Sequence, residues 1–155
     1  MIALSDNIYT NSSIRYTDNS EFDAAIDYRI GANYQNSDKL TWFASIGRAS
    51  KNPSFTERFG FFACTFQGNP NLKPEQSSNI EIGLRSKYVL ANSQLNQQIN
   101  VFVGKLENEI NGFVYDAQTG NFTSDNVAGT SDRSGIEWEL SWISADVSIN
   151  ASYSY

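Results

Sequence analysis

From Ser78 to Leu90 the chain alternates with period two. Ile80, Ile82 and Leu84 stand against Asn79, Glu81, Gly83, Arg85 and Lys87. In an extended strand successive side chains point to opposite faces, so this segment carries one apolar face and one ionisable face. The same alternation returns along most of the sequence. A chain made of such strands reads as all-β, an antiparallel sheet with one apolar and one polar surface.

The first strand is predicted over Ile8 to Thr17, with Ile14 and Tyr16 on one face and Ser13, Arg15 and Thr17 on the other. From Phe22 to Gln35, Tyr28, Ile30, Ala32 and Tyr34 oppose Asp27, Arg29, Gly31 and Asn33. After the polar turn Asn36-Ser37-Asp38, Lys39 to Arg48 sets Leu40, Trp42, Ala44 and Ile46 outward, and Phe43 interrupts the polar face. All three prolines, Pro53, Pro70 and Pro74, fall between Ala49 and Ser77. Proline is excluded from central strands, so that stretch is predicted to be a long loop. Ser78 to Leu90, a turn at Ala91-Asn92-Ser93 and a strand from Gln94 to Leu106 follow, the last continuing to Tyr115 after a kink near Glu107-Asn108-Glu109. Asp116 to Thr130, rich in Asp, Asn, Gly and Thr, reads as a second long loop. Ser131 to Ile143 sets Ile136, Trp138, Leu140 and Trp142 against Gly135, Glu137, Glu139 and Ser141, and Asp146 to Tyr155 alternates likewise after a tight Ser144-Ala145 turn.

Connections in this reading alternate short and long: about three residues, about thirty, about three, then about fifteen. Transmembrane barrels have that asymmetry, with short turns at one rim and long loops at the other. Tyr34, Trp42, Tyr88 and Trp142 lie on the apolar face and beside short turns, where amphipathic rings suit a membrane interface. The predicted fold is therefore an antiparallel up-and-down transmembrane β-barrel wall of about seven strands. A soluble β-sandwich is the alternative, because alternation alone fits it equally well. No segment approaches the ~18 apolar residues of a membrane helix, but a transmembrane strand needs only ~9 to 11 residues, half of them apolar.

Composition excludes several functions. A net charge of -6 argues against nucleic acid, whose phosphates attract basic faces. The absence of histidine removes the commonest general base and metal ligand. One cysteine, Cys64, excludes an internal disulfide framework and a Cys-rich zinc site, and reads as a buried or idle thiol. Glu137 and Glu139 are a pair of carboxylates without a nucleophile-and-base constellation around them, so no enzyme and no cofactor are expected. The Asp and Asn of residues 116–132 lack the Asp-x-Asp-x-Asp-Gly spacing of a calcium loop. Met1-Ile2-Ala3-Leu4 has no basic stretch and is cut short by Ser5-Asp6-Asn7, so no signal peptide is read there.

Three segments carry a resemblance. Gly68 to Glu75, with Asn69, Pro70, Leu72, Pro74 and Glu75, is similar to the Asn-Pro-x-Leu-x-Pro-Glu motif of TonB-dependent outer-membrane receptors. It precedes Glu81-Ile82-Gly83-Leu84, which resembles that family's descending strand. Trp42 to Phe55 looks like its ascending strand and loop entry, and Asn126-Val127-Ala128-Gly129 with Arg133 to Leu140, including Gly135 and Glu137, looks like its next descending strand. The resemblance implies a barrel of about 22 strands around a plug domain. It implies residence in the outer membrane of a Gram-negative bacterium and active uptake of a scarce ligand such as a ferric siderophore or cobalamin. The energy would come from TonB through a short box before the plug. With about seven strands and no plug, box or signal peptide, residues 1–155 are expected to be an internal piece of the barrel wall.

In that reading the loop from Ala49 to Ser77 is extracellular, and Arg58, Phe59, Phe61, Phe62 and Phe66 are the candidate ligand contacts. Rings and a guanidinium suit an apolar or anionic chelate by stacking and charge, and the same rings could instead pack within the loop. Pro70 and Pro74 are expected to stiffen the descent into the strand. Glu81, Glu137 and Glu139, with Arg29, Arg85 and Lys87, point into the lumen, where they meet the plug or water.

Overall fold

The computed structural model describes residues 2–61 and 65–155, so the expectations placed on Phe62 and Cys64 lie outside the described residues. The elements are β1 (Ile2–Ser5), β2 (Ile8–Thr17), β3 (Ala25–Ser37), β4 (Leu40–Lys51), α1 (Phe55–Phe59), β5 (Glu75–Leu90), β6 (Ser93–Glu107), β7 (Ile110–Asp116), β8 (Asn121–Asn126), β9 (Thr130–Ser144) and β10 (Ser148–Ser154). Eight strands form one sheet in the order β1-β2-β3-β4-β5-β6-β9-β10, every neighbouring pair antiparallel. β7 and β8 pair only with each other.

Register turns the alternation into two surfaces. Ala44, Ile82, Val101 and Ile136 lie side by side across β4, β5, β6 and β9, and Trp42, Leu84, Ile99 and Trp138 form the next row on the same face. On the other face the neighbouring row is Phe43, Gly83, Asn100 and Glu137. The apolar rows are uncovered, with Ile80 62% and Ile82 55% exposed. Solvent-accessible surface totals 10788 Å². A compact monomer of 17.3 kDa would expose about 7,800 Å². A single curved sheet with an uncovered apolar face accounts for the difference, whereas a sandwich would have buried that face against a second sheet. The architecture is the up-and-down wall of a transmembrane β-barrel, and among the described residues no helix is long and apolar enough to cross a membrane.

Phe43 and Phe102 interrupt the polar face for a steric reason. Each stands directly across the ladder from a glycine, Phe43 from Gly83 and Phe102 from Gly135. A Cβ on Gly83 would meet the Phe43 ring at 2.2 Å, and one on Gly135 would meet the Phe102 ring at 2.8 Å. The ring edges occupy the space over bare backbone that the missing side chains leave. The Arg85 guanidinium sits 4.2 Å from the Phe43 ring centroid, completing a stack on the lumenal side.

Connections follow the predicted asymmetry. Asp6-Asn7, Asp38-Lys39 and Ala91-Asn92 are two-residue turns, and residues 145–147 close β9 to β10, all at one end of the sheet. Residues 18–24, 52–74 and 108–129 make the connections at the other end. Tyr34 and Trp42 are direct neighbours near the short turns, and Tyr88 shares a row with Leu95 and Trp142. Three expectations are corrected. Strand β1 adds an eighth member to the sheet, because Ile2 to Ser5 pairs back on β2. The strand from Gln94 does not continue to Tyr115, because Asn108 adopts φ 54° and turns β7 out of the sheet. Residues 116–130 are not all loop, since β8 returns along β7.

Gly83→Ala is expected to destabilise the barrel by about 1–3 kcal/mol, as overpacking does. The double variant Gly83→Ala, Phe43→Ala is not expected to recover, because the added Cβ also meets the Ile99 carbonyl oxygen at 2.4 Å. Urea unfolding of the folded barrel in detergent reads both, and full recovery in the double variant would show that only the ring forbids a side chain there.

Candidate functional site

The compact part of the described structure lies outside the sheet, where residues 52–74 and 108–129 meet. The first loop opens on α1, whose Ser54 and Glu57 form a reciprocal capping box: Glu57 N–H donates to Ser54 Oγ at 3.3 Å and Ser54 N–H to Glu57 Oε2 at 2.6 Å. Gly60 then ends the helix at φ 76°, a left-handed conformation that suits glycine. The second loop is the β7–β8 hairpin, closed at Asp116 to Gly120. The Gln118 backbone N–H and the Thr119 hydroxyl both donate to the Asp116 carboxylate and hold its pKa below the ordinary value.

Backbone pairing joins the loops. Gln67 N–H donates to the Phe122 carbonyl at 2.8 Å and Phe122 N–H to the Thr65 carbonyl at 3.0 Å. The Asn126 side chain behaves like a piece of strand: its Oδ1 accepts from Lys73 N–H at 2.8 Å, while Nδ2 donates to the carbonyls of Lys73 at 3.1 Å and Asn108 at 2.7 Å. Asn69 Nδ2 donates to the Ser124 carbonyl at 3.1 Å. Glu109 accepts from the Ser131 hydroxyl and from Arg133 Nη2 at 3.1 Å, tying the hairpin's base to β9.

Rings fill the space between the loops. Phe61 stacks on Phe66 at 5.1 Å, Phe66 meets Phe113 at 5.3 Å, Phe113 meets Phe122 at 5.2 Å and Phe122 meets Tyr115 at 5.6 Å. Phe66 and Leu72 are each only 3% exposed, the large apolar side chains that this junction buries. The expected contact set therefore divides. Phe59 and Phe61 present their rings at 54% and 55% exposure. Phe66 does not, because it is the centre of the loop core. Arg58 is turned inward as well, its side chain 14% exposed, ion-paired to Glu21 at 3.1 Å and lying over the rings of Phe22 and Phe59. Phe55, Phe113 and Tyr115 are exposed rings of the same assembly that the sequence reading passed over. The signal for Phe113 and Tyr115 was available in the Asp116-to-Gly120 turn between two alternating segments.

The motif residues hold the loops to the wall. Leu72 is buried beneath them, and the Pro74 carbonyl accepts from Asn108 Nδ2 at 3.4 Å. Glu75 opens β5 above the apolar rows, where it bonds Lys51 Nζ at 2.8 Å and accepts from Ile110 N–H at 2.8 Å. Burial pushes the Glu75 pKa up, yet the Ile110 N–H and the Lys51 ammonium outweigh it and hold the carboxyl below its ordinary value. Further down the lumenal face Glu81 meets Arg29 at 3.5 Å and accepts from the Ser45 hydroxyl at 3.2 Å, and Glu137 accepts from Asn100 Nδ2 at 3.3 Å.

A single up-and-down sheet, apolar outside, polar inside and roofed at one rim by interlocked loops, defines a segment of transmembrane β-barrel wall. Residues 1–155 match the family model described as TonB dependent receptor-like, beta-barrel. The chain belongs to that family. It is 39% identical over 83 residues to the "Vitamin B12 transporter BtuB" of Vibrio vulnificus strain YJ016, covering 53% of this chain and 13% of that protein. It is 28% identical over 127 residues to the protein of the same name from Vibrio cholerae, covering 82% and 19%. Its fold is similar to the siderophore receptor PirA of Acinetobacter baumannii, with a TM-score of 0.76, 19% identity, and coverage of 98% of this chain and 26% of that one. The Serratia marcescens hemophore receptor HasR, solved with its hemophore HasA and heme, is similar with a TM-score of 0.71, 16% identity, and coverage of 96% and 29%. This chain thus spans less than a third of each of these relatives.

Asn126→Asp is expected to lower the stability of the loop assembly by about 1–3 kcal/mol, since aspartate offers neither donor to Lys73 and Asn108. Hydrogen exchange across residues 65–74 measures this, and unchanged protection would show that the rings alone hold the loops. The depressed Glu75 pKa predicts a pH response of definite sign. A carboxyl lowered in the folded state stabilises above its unfolded value and loses that contribution as pH falls through its folded value. Protection of the Ile110 amide is therefore expected to decline only below the ordinary glutamate range of about 4.3, and Glu75→Gln to remove that pH dependence.

Proposed function

We propose that this segment is part of the barrel wall of an outer-membrane receptor in a Gram-negative bacterium that takes up a scarce ligand, a ferric siderophore or cobalamin, by energy-coupled transport. The observation that carries the reading is the family match over the whole segment together with the interlocked loops at one rim. In this reading the long-loop rim faces the medium. The exposed rings of Phe59 and Phe61, with Phe55, Phe113 and Tyr115 around them, are the surface a large chelate meets first. Rings recognise such a ligand by stacking and by contact area, at low entropic cost because each turns about only two side-chain bonds. Phe66 and Arg58 position that surface from behind.

The lumenal side chains take the second role. Glu81, Glu137, Glu139, Arg29, Arg85 and Lys87 are the polar groups on which a plug domain rests, and energy arrives through TonB gripping a segment before that plug. The similarity to vitamin B12 transporters over 83 residues supports cobalamin as the first ligand to try. The experiment expresses the full-length protein that contains this segment in a Gram-negative host lacking its own cobalamin and ferric-siderophore receptors. Uptake of labelled cobalamin or of a ferric siderophore that disappears on deleting TonB is the expected outcome. Uptake of small solutes in proportion to concentration and indifferent to TonB would identify a passive pore instead.

A further inference from the structure

The sequence holds one Asn-Gly pair, Asn111-Gly112, and it lies where β7 loses register with β8. Ile110 and Asn111 pair with Asn126 and Asp125, and pairing resumes only at Val114 with Thr123, so Gly112 and Phe113 have no partner across the ladder. Asn111 and Gly112 are both exposed, and nothing lies within 4 Å of the point where a Gly112 Cβ would stand. The Asn111 side chain is curled over the peptide that joins it to Gly112, because Phe113 N–H donates to its Oδ1 at 3.2 Å. Its Nδ2 donates to no group among the described residues, unlike the amides of Asn69, Asn108 and Asn126, each of which bonds a carbonyl.

These features favour one reaction, attack of the Gly112 backbone nitrogen on Asn111 Cγ to close a five-membered ring. Glycine leaves that nitrogen unhindered and the backbone free to turn towards it. The Phe113 N–H already on Oδ1 stabilises the negative charge that develops there as the nitrogen adds. The nitrogen gives its proton to solvent hydroxide, the Cγ–Nδ2 bond breaks, and the amine leaves as ammonia with a proton from water. Water then opens the succinimide at either carbonyl, giving aspartate or isoaspartate. In sum one amide and one water become one carboxylate and one ammonium ion, with no other reactant. We propose that Asn111-Gly112 is a self-modifying site, at which the folded rim converts an amide to a carboxylate using water alone and thereby loosens its own hairpin. The new carboxylate stands opposite Asp125, its register partner, and like charges opposed across a ladder weaken the pair. Isoaspartate also adds a main-chain carbon between Ile110, whose N–H is held by Glu75, and Phe113, which packs on Phe66. The site needs only that the long-loop rim lie in water, and it is independent of any transported ligand.

The test incubates the full-length protein, purified as a folded barrel in detergent, at neutral and mildly alkaline pH in water enriched in heavy oxygen. Peptide mass spectrometry reads conversion and oxygen uptake at each asparagine, and isoaspartyl methyltransferase labels the isoaspartate product. Asn111 is expected to convert faster than Asn36 and Asn92, which precede serine at short turns, and as fast in the folded barrel as in a synthetic peptide of residues 107–117. Gly112→Ala meets open space and no positive φ, so it is expected to fold and to slow conversion about tenfold, a barrier increase of about 1.4 kcal/mol. Asn111→Asp reproduces the aspartate product. It is expected to lower hydrogen-exchange protection across residues 121–126 about two- to fivefold, and Asp125→Asn in that background to restore it. A folded barrel in which Asn111 stays an amide while the peptide converts would overturn the proposal, because the ladder would then be shielding the site. So would native protection in Asn111→Asp, which would show that the added charge leaves the hairpin as tight as before.

Discussion

Everything in this sheet follows from the need to pair backbone N–H and C=O groups where no water can reach them. In hydrocarbon an unpaired peptide group is too costly to leave, so a strand that crosses must be bonded along both edges. The long ladders β3–β4, β4–β5, β5–β6 and β6–β9 run without interruption through the apolar rows. Irregularities are pushed to the ends: the register shifts between Ala3 and Ser5 beside a short turn, and between Gln35 and Ser37 beside another. The same demand explains where proline is allowed. Pro53, Pro70 and Pro74 each lack an N–H, and all three lie in residues 52–74, outside the strands.

Once the ladder is fixed, the two faces obey different economies. The outward face needs only apolar bulk, and β-branched residues supply it at Ile46, Ile80, Ile82, Val101 and Val103. The lumenal face must be polar without collecting charge of one sign. It does so by reaching across strands, as Arg29 does to Glu81 and Arg85 does to Gln98 at 2.7 Å and Asn33 at 3.3 Å. Exposed pairs of this kind add little stability. Their effect is to set side-chain direction along the wall, and the Phe43–Gly83 and Phe102–Gly135 pairs do the same by shape.

Strand parity was legible because it is a local property: the outward residues expected for β3, β4, β5, β6 and β9 stand on one face in the structure. Turn positions were legible for the same reason, since Asp38-Lys39 and Ala91-Asn92 carry their own turn chemistry. What escaped depends on contacts distant in sequence. The kink expected at Glu107-Asn108-Glu109 is present, but nothing local to it announces that the chain leaves the sheet there. The left-handed turn of Asn108 is repaid by Asn126, eighteen residues on, which bonds its carbonyl. The helix at Phe55 did carry a local signal, Ser54-x-x-Glu57, hidden inside a stretch read only as loop. Arg58 and Phe66 illustrate the other gap. A ring or guanidinium in a loop has no periodicity to reveal whether it faces solvent or a second loop, and here Glu21 and the β7–β8 hairpin decide it.

The loop assembly has a mechanical consequence. Residues 52–74 and 108–129 share backbone hydrogen bonds, a ring cluster and the Asn126 amide, while Glu75 and Glu109 fasten them to β4 and β9. Separating the loops would expose Phe66 and break the bond from Asn69 Nδ2 to the Ser124 carbonyl, a cost larger than that of moving the pair together. Two loops from different strand pairs thus form one interlocked body carried by four strands, β4, β5, β6 and β9. In the proposed reading, a ligand touching Phe61 on one loop and Phe113 on the other does not have to draw them together, because Phe66 already lies between their rings. The ordering entropy of a two-loop surface has been met during folding, which leaves contact area and stacking to act at full strength when something binds.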